Sequence, residues 1–199
     1  MRFVVANVIL ALEFMHGRGI VHRDLKPGNL LVDKEGFVQV CDYGLSKFLA
    51  PGETSDEVVG TWAYISPQMA QRSPYGAETD LWSLGVVGFE LAYGMTPFEP
   101  ELNNTYPRKA PLSTKDWRAI TERNILNSHI SFPNGSGVPM AGRLFLKGLL
   151  KRAREKRLGS CGNFKELYSH SFLTGMEWAK LRMRHRDIAL HPAVFGIET

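Results

Sequence analysis

A predominantly α-helical domain, interrupted by short β-hairpins, is the fold class this sequence predicts. Three observations carry that reading. Leu81 to Tyr93 is apolar on nearly every face, with only Ser83 and Glu90 polar, as a helix inside a core requires. Leu30-Leu31-Val32 and Phe37 to Cys41 are short β-like runs on either side of Asp33-Lys34-Glu35-Gly36, a turn-forming stretch. The chain has 199 residues, 44% of them apolar, enough for one sizeable core and cramped for two full domains.

Met1-Arg2 followed by Phe3 to Leu12 imitates the charged, then apolar start of a signal peptide. No small-residue cleavage site follows, however, and Glu13, His16 and Arg18 interrupt the run. Phe3, Ala6, Leu10 and Phe14 keep helical spacing, which predicts a buried helix. Gly17 and Gly19 end it, and Ile20-Val21 leads into the hairpin region. Residues 44–79 show no sustained period and are rich in Gly, Ser, Thr and Pro, the signature of a long functional loop. Gly94 and Pro97 terminate the central helix. Residues 99–118 read as a surface insertion and Trp117 to Asn127 as a short helix. Arg143 to Arg154 reads as an amphipathic helix, with Leu146, Leu149, Leu150 and Ala153 on one face and Arg143, Lys147 and Lys151 on another. The basic row continuing through Arg157 is expected to be a solvated face rather than a site for acidic partners.

Composition excludes several classes. Lys and Arg exceed Asp and Glu by four, an imbalance that demands neither nucleic acid nor a membrane surface as a partner. No run of eighteen apolar residues occurs, so no membrane span is expected. Cys41 and Cys161 cannot build a disulfide framework, and a reducing cytoplasmic or nuclear setting is expected. The histidines lack spacing such as HExxH, which leaves zinc chemistry without support.

One segment carries chemistry: His22-Arg23-Asp24-Leu25-Lys26-Pro27-Gly28-Asn29. It matches H-R-D-L-x-x-x-N at every fixed position. Asp42-Tyr43-Gly44 follows the hairpin, and Gly60-Thr61-Trp62-Ala63-Tyr64-Ile65-Ser66-Pro67-Gln68 follows in turn. In order, spacing and content these three landmarks resemble the catalytic loop, the D-F-G motif and the A-P-E segment of protein kinases. Nearly the whole chain resembles the C-terminal lobe of a eukaryotic serine/threonine protein kinase. Arg157-Leu158-Gly159, His170-Ser171-Phe172 and Trp178 add a softer likeness to the AGC group, which includes the cyclic-nucleotide-dependent kinases.

The resemblance implies a kinase lobe over 1–173 and the start of an AGC-type C-terminal tail over 174–199. It also implies ATP and Mg²⁺ as cofactors and proteins as substrates. Phosphoryl transfer is mostly positioning and neutralisation of phosphate charge. By resemblance, Asp24 accepts or orients the proton of the attacking hydroxyl, and Lys26 steadies the γ-phosphate. Asn29 and Asp42 supply hard oxygen ligands for Mg²⁺. Leu31 would lie beneath adenine. Asp80 would hold the catalytic-loop backbone, with His22 and Tyr43 stacked above it. Glu90 would read an arginine upstream of the target hydroxyl, although Gly28 stands where a second glutamate is common. That combination predicts a weaker, single-position arginine preference, and Thr61 favours serine or threonine as acceptor.

Departures from the family matter as much. No G-x-G-x-x-G loop and no V-A-I-K lysine precede His22, so the N-terminal lobe, half of the ATP site, is expected to be missing and these residues alone inactive. Tyr43 replaces Phe, while Ser66 and Gln68 replace Ala and Glu. Gln68 would still hydrogen-bond Arg157, without the charge-assisted part of that pair. A non-catalytic binding or decoy protein built on a kinase lobe is the alternative. The regulatory phosphothreonine of AGC kinases lies three residues before the glycine of the Gly-Thr pair, a position held here by Glu57. Its carboxylate could pair permanently with Arg23; otherwise Thr54 or Ser55 is the phosphosite.

Overall fold

A computed structural model describes residues 1–99, 113–133 and 137–190. Helix α1 (Arg2–His16) leads into strand β1 (Ile20–Val21) and the hairpin β2 (Leu30–Val32) and β3 (Val38–Val40). Strand β4 (Lys47–Phe48), helix α2 (Pro67–Ala70) and the central helix α3 (Glu78–Tyr93) follow. The remaining helices are α4 (Thr114–Asn127), α5 (Met140–Leu149), α6 (Phe164–Tyr168) and α7 (Trp178–Arg182).

The hairpin pairs Leu30 with Val40 and Val32 with Val38, antiparallel. Its turn is set by Asp33, whose Oδ1 accepts the amides of Glu35 and Phe37. A second two-stranded sheet pairs β1 with β4, Ile20 against Phe48.

Every residue of α3 from Thr79 to Phe89 is buried, which explains why its sequence lacks a polar face. Gly85 and Gly88 cost helix propensity but admit α5. A Cβ on Gly85 would lie 2.9 Å from Leu149 and Leu150, and one on Gly88 2.9 Å from Leu146. Val5, Val8, Ile9 and Leu12 of α1 join Leu25, Leu81, Leu84, Val87, Phe145 and Leu149 in the main core. Burial of each such side chain stabilises the fold by about 1.5–3 kcal/mol. Tyr75, Trp82, Phe98, Ile125 and Leu150 form a second cluster, with Trp82 stacked on Phe98 at 5.4 Å.

Several boundaries differ from the sequence expectation. Helix α1 is buried on two sides: Ala6, with Phe3 and Leu10 beside it, packs on Phe37 and Leu181, while Val8, Ile9 and Leu12 enter the main core; of the expected stripe only Phe14 is exposed, beneath the Arg18 guanidinium. The central helix starts at Glu78, three residues before Leu81, and ends at Gly94 in the left-handed region. Residues 44–79 are not one loop; they hold β4, a 3₁₀ turn (Trp62–Tyr64) and α2. Helix α4 begins at Thr114 because the Ser113 hydroxyl accepts the Asp116 amide and caps it. The remainder of the expected insertion, 100–112, lies outside the described residues. Helix α5 ends at Leu149 rather than Arg154, and two arginine side chains take the backbone carbonyls that follow or face it. Arg157 Nε donates to the Lys151 carbonyl at 3.0 Å, and Arg152 Nε to that of Ile125 at 2.6 Å. Arg157 is therefore no part of a solvated basic face; it is 1% exposed.

Candidate active site

The loop from His22 to Asn29 is held from below by Asp80. This fully buried carboxylate accepts the amides of His22 and Arg23, each at 2.9 Å, and the His16 ring nitrogen at 2.8 Å. Burial works against its ionisation, but the His16 bond and the two amides win and hold its pKa below the ordinary range. Arg23 adopts φ 69, a left-handed conformation that costs a non-glycine residue about 1–2 kcal/mol and that the Asp80 bond to its amide helps maintain. His22 stands against Tyr43 edge-on, ring centroids 5.5 Å apart. The Tyr43 hydroxyl donates to the Val40 carbonyl at 2.8 Å although the side chain is 52% exposed.

Asp24 is the hub. Its Oδ1 accepts the Thr61 amide at 2.8 Å and the Thr61 hydroxyl at 2.7 Å. Its Oδ2 accepts Lys26 Nζ at 2.8 Å and Asn29 Nδ2 at 3.3 Å. Lys26 Nζ also donates to Thr61 Oγ1 at 2.7 Å. Burial pushes the Asp24 pKa up, but the Lys26 and Thr61 bonds outweigh it and leave it below the usual carboxylate range. Gly60 makes the approach of Thr61 feasible: at φ +92, any Cβ there would run into the Arg23 carbonyl.

The Asn29 amide nitrogen donates to the Asp24 carbonyl at 2.8 Å, and no hydrogen bond reaches its Oδ1 among the described residues. The Asn29 carbonyl accepts the Cys41 amide at 2.9 Å, which sets Asp42 beside it across the strands. Asp42 is exposed at φ 61, and among the described residues its carboxylate is engaged only by the Gly44 amide at 3.3 Å. An amide oxygen and a carboxylate are the hard donors a Mg²⁺ ion takes, so the residues fit such an ion. Leu31 is 56% exposed and open to an apolar ligand. A cavity of about 890 Å³ lies elsewhere: His16, Phe48, Leu81 and Phe164 line it, and none of Asp24, Lys26, Asn29 or Asp42 does. Asp42 and Leu31 instead stand on an open surface.

The outlying positions are also placed. Arg157 Nη2 donates to Gln68 Oε1 at 2.9 Å and Nη1 to the Glu78 carbonyl at 2.7 Å. Burial lowers the Arg157 pKa to about 10. Glu90 accepts the Tyr64 hydroxyl at 2.6 Å. Arg23 Nη1 donates to Glu57 Oε2 at 2.8 Å. Motif reading missed His16, Lys47, Tyr64 and Tyr75. None of the four belongs to the fixed letters of a motif, and Lys47 sits in a stretch read as loop.

The profile of the protein kinase domain matches residues 1–173, so the chain belongs to the protein kinase family. Its relatives are of serine/threonine type, in keeping with the AGC-like motifs. It is 34% identical over 196 residues to the serine/threonine protein kinase ypkA of Aspergillus fumigatus, covering 98% of this chain and 28% of that protein. It is 35% identical over 197 residues to the serine/threonine-protein kinase sck2 of Schizosaccharomyces pombe, covering 98% and 28% respectively. Against the serine/threonine-protein kinase Sgk1 of Danio rerio it is 35% identical over 197 residues, covering 98% of this chain and 41% of that one. The chain thus spans between about a quarter and two fifths of the length of these relatives. Among the described residues no helix is long and apolar enough to cross a membrane.

Proposed function

We propose that these residues form the C-terminal lobe that transfers the γ-phosphoryl group of ATP to serine or threonine in proteins, with a tail beginning near residue 174. The observation that carries this is the convergence of Asp24, Lys26, Asn29 and Thr61 on one hydrogen-bonded centre, with Asp42 next to Cys41, whose amide the Asn29 carbonyl accepts. A lobe that only binds has no chemical need for that set.

The lowered pKa of Asp24 refines its role. A carboxylate kept firmly ionised is a weak base, so Asp24 works chiefly by accepting a hydrogen bond from the attacking hydroxyl and aiming it. Thr61, donating to the same carboxylate, stands where a substrate serine or threonine backbone would run. Lys26, kept bonded to Asp24, would present its charge to the transferring phosphate as well and help neutralise it. Asn29 Oδ1 and Asp42 would hold Mg²⁺, which supplies charge neutralisation on the phosphates when bound. Leu31 would support the adenine. Glu90, one oxygen already engaged by Tyr64, would give a single upstream arginine preference. The glycine loop and lysine that cover the phosphates in the family would come from a small lobe, and the 199 residues by themselves should turn over negligibly.

The nucleotide-handling reading is tested on the chain itself. Titration with Mn²⁺ and ATP should broaden the amide resonances of Asn29 and Asp42 before all others, and Asp42→Ala should abolish this. Uniform broadening, or none at saturating nucleotide, would favour a lobe that only binds other proteins.

A further inference from the structure

The cavity of about 890 Å³ that lies apart from Asp24 is walled by four segments: the end of α1, strand β4 with the loop after it, the start of α3, and the turn entering α6. Its volume falls in the range of about 300–1,000 Å³ usual for small-molecule sites. Val21, Phe48, Leu49, Pro51, Leu81 and Phe164 supply apolar walls. Phe48 is 65% exposed, so a contact made inside the cavity would remove much of one ring from water. The charged side chains around the cavity are already engaged. Glu13 pairs with Arg182 at 2.8 Å, and Glu53 accepts the Ala50 amide at 2.8 Å. Glu78 accepts the Gly76 amide at 2.9 Å and faces Arg154 at 3.6 Å, while Arg18 donates to the Phe14 carbonyl at 3.1 Å. Three carboxylates against two guanidinium groups disfavour an anion there. His16 stands differently. Its ring is 9% exposed, edge-on to Phe164 with centroids 5.8 Å apart, and its Nε2 bonds Asp80 at 2.8 Å. No hydrogen bond reaches its Nδ1 among the described residues. With Nε2–H donated to the Asp80 carboxylate, the neutral ring leaves Nδ1 as an acceptor, and an acceptor so nearly buried gains from a donor.

We propose that this cavity is a binding site for a neutral, apolar small molecule bearing a hydroxyl group, which donates a hydrogen bond to His16 Nδ1 and packs its apolar body against Phe48, Leu81 and Phe164. The apolar walls supply affinity, and the single unmet acceptor fixes orientation and selects for a donor. The inference does not use the phosphotransfer reading, because neither the metal-binding pair nor Asp24 touches the cavity. It places a ligand between the end of α1 and residues 50–54, on the far side of the His16–Asp80 bond from the Asp24 loop.

The experiment uses the whole chain with 2-naphthol, uncharged at neutral pH, as the probe and naphthalene, the same rings without a donor, as the comparison. Cys161 lines the cavity and is exposed, whereas Cys41 lies off its walls, so the two thiols report on occupancy and serve as each other's control. Submillimolar 2-naphthol should slow alkylation of Cys161 by iodoacetamide at least about fivefold and leave Cys41 unchanged. Naphthalene should bind about five- to tenfold more weakly, the effect of one hydrogen bond left unmade. Cys161→Trp, which fills the cavity, should abolish 2-naphthol binding. Naphthalene binding as tightly as 2-naphthol would make the cavity a merely apolar cleft and overturn the proposal. So would Cys161 left unprotected, equal slowing at Cys41, or undiminished binding in Cys161→Trp. If Cys161→Trp fails to fold, Ala50→Trp fills the cavity from the loop after β4 and should abolish binding in its place. The thiol protection and the naphthalene comparison need no substitution and decide the matter on the unaltered chain. Loss of phosphotransfer in any assay leaves this result standing, and absence of 2-naphthol binding leaves phosphotransfer untouched.

Discussion

Replacing Asp80 by asparagine changes one buried oxygen into an NH₂ group, and the structure fixes what that costs. The carboxylate serves three donors: the His16 ring and the His22 amide on Oδ2, and the Arg23 amide on Oδ1. An asparagine can satisfy one side with its oxygen. On the other side NH₂ meets a backbone N–H, leaving at least one buried donor unpaired at about 1–3 kcal/mol. Each surviving bond also passes from a charged to a neutral acceptor, a loss of about 1 kcal/mol. With one donor unpaired and two bonds surviving the sum is roughly 3–5 kcal/mol, and for a domain of this size that lowers Tm by about 6–20 °C. Arg23, no longer held at φ 69 by two firm anchors, should relax, so exchange of the His22 and Arg23 amides should accelerate more than that of α5. Calorimetry and amide exchange on Asp80→Asn measure both effects. A Tm within about 2 °C of the unsubstituted chain, with the loop amides unchanged, would refute the claim that Asp80 carries this loop.

Other outcomes follow from the same geometry. Arg157→Leu deprives the Glu78 and Lys151 carbonyls and Gln68 of their donor and should cost about 2–4 kcal/mol in chemical denaturation. Gly60→Ala, strained at φ +92 against the Arg23 carbonyl, should destabilise by more than about 1 kcal/mol and slow the Thr61 amide's return to Asp24, read by exchange at that residue. The bonds from Lys47 and Arg23 bring the Glu57 pKa from 4.5 to about 2. A depressed carboxylate stabilises above its unfolded pKa and loses that effect as pH falls toward its folded one. Protection of residues 53–61 should therefore stay flat from pH 8 to about 5 and fade between about 4.5 and 2, whereas a phosphate lock would weaken near pH 6.

The sequence revealed those parts of the molecule whose chemistry is local. His22 to Asn29 must be contiguous to wrap around Asp80, and a helix buried all round must be apolar all round, so both could be read directly. The β2–β3 hairpin was legible for the same reason, since Asp33 closes its own turn. What escaped depends on partners distant in the chain. Strand β4 is two residues long and exists only because β1 lies beside it, a pairing with no periodicity to betray it. Past Leu149 the Lys151 carbonyl is taken by Arg157 and the Arg152 side chain turns away to the carbonyls at the end of α4, while Lys147 and Lys151 keep the helical spacing that suggested continuation. Arg157 looked like one more surface cation; burial of a guanidinium is decided by Gln68 and Glu78, some eighty residues earlier. Lys47 and Tyr75 became visible as partners of Glu57 only once three segments met in space.

The central claim is that Asp24 aims a substrate hydroxyl at a metal-bound nucleotide. It is tested by fusing the small lobe of a serine/threonine kinase relative ahead of Met1 and following transfer of labelled γ-phosphate to a serine peptide with one upstream arginine. Turnover should fall within the usual kinase range of about 1–100 s⁻¹ and drop about 10²–10⁴-fold in Asp24→Asn while ATP affinity is retained. A folded, ATP-binding chimera with no transfer, or an Asp24→Asn variant as active as its parent, would contradict it.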